Sequence, residues 1–292
     1  MRLHHLNCIS TCPAGGRLMD GRSPLTAWRG RLCCHCILAE LPSGGLALID
    51  TGLGLRDVEA PRERLSGFFL ALVKPEWRRS MTAIRQIEAI GYTAKDVRHI
   101  VLTHLDFDHA GGLDDFPYAT VHLLAAEREV AFARKTWMDR QRFRPQQWGS
   151  RERWKVYRSD EGDTWFGFRR ARPLDGLPPE LALVPLPGHT LGHAGVAVAG
   201  AEGWLLQAGD AYFHEREMDA VAPGCPLGLR FYQWMLEHDR RARLDNQARL
   251  RELVRSHGSE VTVCCGHDVA EFELLANRPH SEPLSPLSIA AP

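Results

Sequence analysis

The residues best suited to chemistry are crowded into one decapeptide, Thr-His-Leu-Asp-Phe-Asp-His-Ala-Gly-Gly, at positions 103–112. His104, Asp106, Asp108 and His109 fall within it at the end of the apolar run HIVLTH, and Gly111 and Gly112 permit a tight turn afterwards. Imidazole and carboxylate are the donors that zinc, iron and manganese accept. Such a density of them at the end of a buried strand is costly unless something binds there. Three later places repeat the pattern of an apolar run ending in a ligand type: Leu186-Pro187-Gly188-His189-Thr190, Gln207-Ala208-Gly209-Asp210 and Cys264-Cys265-Gly266-His267-Asp268.

The elements that must position these groups are short apolar runs ending in Gly, Asp or His. They cover residues 46–50, 99–104, 120–124, 181–186, 196–199, 204–208 and 261–265. Several are apolar on consecutive positions, as in strands buried on both faces. Helical stretches are expected over 80–89, 125–135 and 239–257, the first closed by Gly91 and the last by Gly258. Residues 55–79 read as a loop or short helix. The mixture specifies an α/β layered fold, and in open α/β architectures strand ends are where sites collect.

The bulk numbers bound the function. The chain has 292 residues, 44% hydrophobic and 25% charged, with 36 basic and 36 acidic side chains balancing to zero. That balance gives no global field to draw in nucleic acid or an anionic membrane. The opening MRLHHLNCISTCPAGG lacks the long apolar stretch of a signal peptide, so a cytoplasmic protein is expected. Eight cysteines in such a chain read as reduced thiols packed as small hydrophobes. The alternative is a structural zinc site from Cys8, Cys12, Cys34 and Cys36, but neither pair has the usual C-x-x-C turn. Residues 128–158 carry ten Arg or Lys against three Glu or Asp, with Trp137, Trp148 and Trp154 interleaved. They suit a lid selecting an anionic or aromatic small-molecule substrate, or equally a docked helix pair or a homodimer interface. Residues 277–292 hold four prolines and read as a disordered tail.

Taken together, H-x-[acid]-x-D-H, then PGHT-x-GH, then GD, then GH, resemble the metallo-β-lactamase superfamily over about residues 30–275. Asp50-Thr51-Gly52 matches that family's early Asp-Thr-Gly. The resemblance implies a four-layer αββα sandwich spanning 1–276 as one domain, with 128–170 as the Arg/Trp-rich lid or insertion. It also implies two divalent metal ions, zinc in the first instance. His104, Asp106 and His189 would hold the first, Asp108, His109 and His267 the second, with Asp210 bridging. Asp50, Thr103 and Thr190 would orient the histidines. Most hydrolases of the superfamily have His where this chain has Asp106; the flavodiiron branch has an acid there. Asp106 therefore either ligates, which favours iron or manganese, or is too short and leaves the first position weak. The lactonases of the family place a Tyr three residues after the bridging Asp. Here Tyr212 is two after it, and Tyr212 and His214 are candidate catalytic proton donors beside Asp108 and Asp210. The function implied is hydrolysis of a small ester, lactone or thioester. The alternatives are a phosphodiesterase or nuclease, which the charge balance disfavours, and an iron-dependent oxidoreductase, for which no flavin-binding partner domain follows. His193 reads as a structural partner of its loop.

Overall fold

A computed structural model describes residues 1–149 and 153–277 of the chain. Two six-stranded sheets form its centre. The first runs in the order β1 (Arg2–Asn7), β2 (His35–Glu40), β3 (Leu46–Ile49), β4 (Val97–Val101), β5 (Thr120–Leu124) and β6 (Trp154–Tyr157). Its first two pairings are antiparallel and the remaining three parallel. The second sheet runs from β12 (Val261–Cys264) through β11 (Gly203–Gln207), β10 (Ala194–Gly200), β9 (Leu181–Pro185) and β8 (Phe168–Pro173) to β7 (Asp163–Trp165). There only β11 and β12 are parallel.

Side chains alternate across each strand, and here both faces are buried. In β2, Ile37 and Ala39 point into the layer between the sheets, where they meet Leu181, Leu183, Val196 and Val198. Leu38, between them, points outward with Leu48, Ile100, Val121 and Leu123 and is covered by Ala83 and Ile87 of the helix Ala83–Ala89 and by Trp148. On the far side Val184, Ala197 and Leu206 are covered by Leu250 and Leu253 of the helix Arg240–His257. Each fully buried aliphatic side chain contributes ~1.5–3 kcal/mol. Helix, sheet, sheet and helix thus make the four layers expected.

Seven of the strands were legible as runs of consecutive apolar residues, and their bounds differ by a few residues at most. Residues 55–79 form three short helices, Leu55–Glu59, Pro61–Arg64 and Gly67–Val73. The Arg/Trp-rich region is not a detached lid. It folds into the helices Ala125–Ala133, Trp137–Arg142 and Pro145–Trp148 and then β6, with Trp148 2% exposed in the core. Trp154 packs against the same cluster, while Trp137 is exposed. Among the described residues no helix is long and apolar enough to cross a membrane. The expected tail lies outside the described residues apart from Asn277, which caps the helix Val269–Ala276.

The register brings the ligand-bearing loops to one edge. In the parallel pairs β3–β4 and β11–β12, Ile49 lies beside Val101 and Gln207 beside Cys264, so both pairs end together. The loop after β9 joins them because Pro185 pairs with Ala194 at the start of β10. The Ala194 amide donates to the Thr103 carbonyl at 3.0 Å, tying one sheet edge to the other.

Candidate metal centre

Every residue of the predicted ligand set arrives at that edge, and all are 9% exposed or less. Two constellations form. In one, His109 Nε2 and His267 Nε2 lie 3.4 Å apart, and each is 3.2 Å from Asp210 Oδ1. Donors ~2.0–2.1 Å from a tetrahedral ion are separated by roughly 3.3 Å, so this triangle has the size of a metal site. Asp210 Oδ1 is buried without a hydrogen-bond partner, which is costly for a carboxylate oxygen unless a cation faces it. Asp108 Oδ2, 3.8 Å from His267 Nε2, completes the set. The thiol of Cys34 belongs to the same cluster, with ligand atoms of Cys34, Asp108 and His267 all within 4.8 Å of one another.

The histidines are aimed by their other nitrogens. His109 Nδ1 donates to Asp50 Oδ2 at 2.8 Å, and His267 Nδ1 donates to the Cys33 carbonyl at 2.7 Å. Both bonds fix the tautomer that leaves the Nε2 lone pair facing Asp210. Asp50 also accepts the Thr103 amide and hydroxyl, each at 2.8 Å. It does so from a left-handed backbone, φ 53°, that Asp tolerates better than most residues. Thr190, by contrast, orients no ligand directly: its hydroxyl donates to Glu127 at 2.5 Å, and Glu127 also accepts the Leu105 amide at 2.9 Å. His193 spans its own loop as expected, donating from Nδ1 to the Leu186 carbonyl and accepting the Asp210 amide at Nε2, 2.9 Å in each case.

Two glycines are required here. A Cβ at Gly209, whose φ is +52°, would stand 2.6 Å from His193 Nε2. One at Gly266 would crowd His109 Cε1 at 3.0 Å and Asp210 Oδ1 at 3.1 Å.

The second constellation is His104, Asp106, His189 and Asp210, with ligand atoms within 4.8 Å of one another. It differs from expectation in holding a fifth residue. Arg142, 1% exposed, donates from Nε to Asp106 Oδ1 at 2.6 Å and from Nη2 to Asp106 Oδ2 at 2.5 Å. The same Nη2 donates to His189 Nε2 at 2.6 Å, and Nη1 donates to the Leu236 carbonyl at 2.7 Å. Both oxygens of Asp106 and the Nε2 lone pair of His189 are thereby engaged. Their spacing is that of a metal site, but Arg142 takes the Nε2 lone pair of His189, whereas His109 Nε2, His267 Nε2 and Asp210 Oδ1 face one another directly.

The electrostatics follow the same division. Burial opposes the charge on His109 and His267 and is the largest single effect, but Asp210 together with Asp50 at His109, and with Asp108 at His267, outweighs it and raises both histidines. Burial lowers His104 and His189, and His109 and Arg142 respectively add to the effect. Burial would raise the Asp106 carboxyl, yet Arg142 holds it well below the usual range; Asp108, lacking such a partner, is raised by burial.

Tyr212 does not belong to the site. It is fully buried in the core between the second sheet and its helix, and its hydroxyl donates to Glu271 at 2.8 Å. The residue two after a sheet-edge Asp points back into the sheet layer. His214 lines a cavity of 240 Å³ together with Phe213, Leu32, Leu229, Arg31 and one of the candidate ligands, His267. Phe213 stacks on His267, with ring centroids 4.9 Å apart. Sequence reasoning missed Arg142, Cys34 and Tyr232. The Tyr232 phenol is pushed well above its ordinary range by burial first and then by the charges of Asp108, Asp210 and Asp106. The alternative zinc site among cysteines does not form among the described residues. All eight cysteines are free, and Cys8 and Cys36 lie in the core.

A four-layer αββα sandwich with histidines and aspartates at its strand edges defines a class of metal-dependent hydrolases, and a family model of the metallo-β-lactamase superfamily matches residues 29–267. The chain belongs to that superfamily, and it is an enzyme, a metallo-hydrolase whose cluster is able to bind divalent metal ions. It is 39% identical over 274 residues to a probable metallo-hydrolase of Mycobacterium tuberculosis (strain ATCC 25618 / H37Rv), covering 94% of this chain and 82% of the relative. It is 24% identical over 264 residues to the N-acyl homoserine lactonase AiiA of Bacillus thuringiensis subsp. kurstaki, covering 89% and 92%. Its fold superposes with a TM-score of 0.67 on an N-acyl homoserine lactone hydrolase solved with N-hexanoyl-L-homoserine at its catalytic metal centre. That pair shares 20% identity over 94% of this chain and 95% of the other.

Proposed function

We propose that this metallo-hydrolase opens a small lactone or a closely related ester, using zinc held by Asp108, His109, Asp210 and His267. The observation that carries the reading is the 240 Å³ cavity at His267, whose walls include the apolar Leu32, Phe213, Leu229 and Val269 and the cationic Arg22 and Arg31. Similarity to N-acyl homoserine lactonases supports the same substrate class. Zinc suits a set of two imidazoles and two carboxylates, and the case for iron or manganese weakens once Asp106 is neutralised by Arg142.

When bound, the divalent ion supplies Lewis acidity that polarises the ester carbonyl and lowers the pKa of water. The chain's own residues do the rest. Asp50 and the Cys33 carbonyl hold His109 and His267 in the ligating tautomer. Phe213, Leu32, Leu229 and Val269 accept the acyl portion and exclude water around the scissile bond. His214 Nδ1 accepts the Arg216 amide at 3.2 Å, so the neutral ring carries its proton on Nε2. That N–H donates a hydrogen bond to the alkoxide as the ring opens, and the alkoxide takes its proton from the attacking water.

The test is a pH-stat assay of zinc-loaded protein against N-acyl homoserine lactones, simple γ-lactones, thioesters and bis-p-nitrophenyl phosphate. Acid release from lactones well above that from the phosphodiester is expected. Turnover of the phosphodiester alone would replace the reading with a phosphodiesterase. His214→Ala lowers kcat with little change in KM; an unchanged kcat removes His214 as the hydrogen-bond donor to the alkoxide.

A further inference from the structure

The first metal position of this fold is built around a side chain instead of an ion. We propose that Arg142 is the permanent cation of that position, so that the folded enzyme carries one divalent ion per chain, at the constellation of Asp108, His109, Asp210 and His267. The inference rests on the metallo-hydrolase reading and narrows its metal content.

Four observations carry it. The first is the bond to His189. A guanidinium only donates, so the Nε2 of His189, 2.6 Å from Arg142 Nη2, accepts from it with its single lone pair, and its 3.1 Å approach to Asp106 Oδ2 is then a contact without a hydrogen. Spent on the arginine, that lone pair cannot ligate a metal. The second is the fit of Asp106. A carboxylate receives the planar fork of a guanidinium through two parallel bonds, here 2.6 and 2.5 Å, which a histidine at that place could not do. The acid that departs from the family's usual histidine is therefore the partner this arginine requires.

The third observation is how firmly the arginine is held. Its Nη1 donates to the Leu236 carbonyl at 2.7 Å, and it ends the helix Trp137–Arg142. A capping box starts that helix, Thr136 Oγ1 accepting the Asp139 amide at 3.0 Å and Asp139 accepting the Thr136 amide at 2.9 Å. His238 Nε2 adds a contact to Asp139 at 3.0 Å, and the next residue, Phe143, makes a β-bridge with Asp106 itself. Displacing the side chain would leave a guanidinium buried without a partner, at a cost of several kcal/mol. The fourth is charge. Arg142 already pairs with Asp106, so an ion at this position would add two positive charges beside a buried guanidinium. The remaining donors behind the arginine are intact: His104 Nε2 is fully buried and has no hydrogen-bond partner. Removing the guanidinium should therefore uncover a usable site.

The experiment counts metal. Full-length protein is stripped, reloaded with excess zinc, desalted and measured by elemental analysis and native mass spectrometry, as wild type and as Arg142→Met. One ion per wild-type chain and close to two per Arg142→Met chain are expected. Two tightly held ions in the wild type, or one in a folded Arg142→Met, would overturn the proposal and leave the hydrolase reading intact. A wild type that holds none removes the hydrolase reading itself. Cadmium-113 resonance of the wild type gives a second readout that does not depend on the variant folding: one resonance agrees with the proposal, and two contradict it.

Discussion

Asp50 touches no substrate and no ligand position of its own, yet the geometry makes metal affinity depend on it. It is 1% exposed, and its Oδ2 accepts His109 Nδ1 at 2.8 Å while Oδ1 accepts the Thr103 amide at 2.8 Å. Asp50→Asn isolates the first of these bonds. Asn occupies the left-handed backbone at φ 53° as readily as Asp, and its amide oxygen can still accept the Thr103 amide. The amide nitrogen then faces His109 Nδ1, donor against donor. His109 must either lose the bond or move its proton to Nε2, where the lone pair that faces Asp210 disappears. Losing a partner of this kind typically costs 10–100-fold in metal affinity, about 1.4–2.8 kcal/mol. A competition titration against a chromophoric zinc chelator reads this directly, with circular dichroism confirming the fold. Asp50→Ala should weaken zinc at least as much and also lower stability by ~1–3 kcal/mol, because the buried Thr103 amide loses its acceptor. An Asp50→Asn protein that binds zinc within twofold of wild type would refute the argument that His109 is a ligand aimed by Asp50.

Three further outcomes follow from the same geometry. Tyr212→Phe keeps kcat/KM within about twofold and lowers stability by ~1 kcal/mol, the net worth of its bond to Glu271, in a urea titration; a large loss of kcat would return Tyr212 to the reaction. Gly266→Ala sets a methyl 3.0 Å from His109 Cε1 and 3.1 Å from Asp210 Oδ1, so these side chains must give by roughly a few tenths of an ångström, and kcat/KM should fall by less than the ~10²-fold of a ~1 Å misplacement while the melting temperature moves little. Glu271 is raised by burial and by Asp268 from 4.5 to about 8, so the native state holds a proton that the unfolded state has released across that window. Unfolding free energy should therefore fall as pH rises from about 4.5 to 8 and level off above, and Glu271→Gln should flatten the slope seen in denaturant titrations at successive pH values.

The parts of the molecule that could be read from the sequence were those specified locally. A strand buried on both faces announces itself by consecutive apolar residues, as in LALID and HIVLTH, and a ligand at its end by an imidazole or carboxylate that nothing else there would explain. β1 escaped notice because His4, His5 and Asn7 break its apolar pattern, and β8 because Arg169, Arg170 and Arg172 give it a solvated face. Tyr212 was misplaced for a related reason. Position along the chain relative to Asp210 says nothing of which way a side chain turns once the strand has ended, and the buried acid Glu271, 59 residues on, decides it.

Arg142 marks a deeper limit. Two anomalies stood in plain view: an acid at 106, where histidine is usual, and a segment at 128–158 with ten basic residues against three acidic. Taken separately, the first suggests a change of metal preference or a weak first position, and the second a lid, a docked helix pair or an interface. They are one feature. A buried carboxylate needs a cation, a surplus of arginines supplies one, and the 36 residues between Asp106 and Arg142 are bridged only when the helix Trp137–Arg142 docks on the sheet edge. Neither residue's chemistry can be assigned without the other, because the arginine takes the His189 Nε2 lone pair and one acceptor site on each Asp106 oxygen together. A charge of unusual sign inside a metal motif should accordingly be paired, before any metal is assigned to it, with the nearest unexplained charge of the opposite sign.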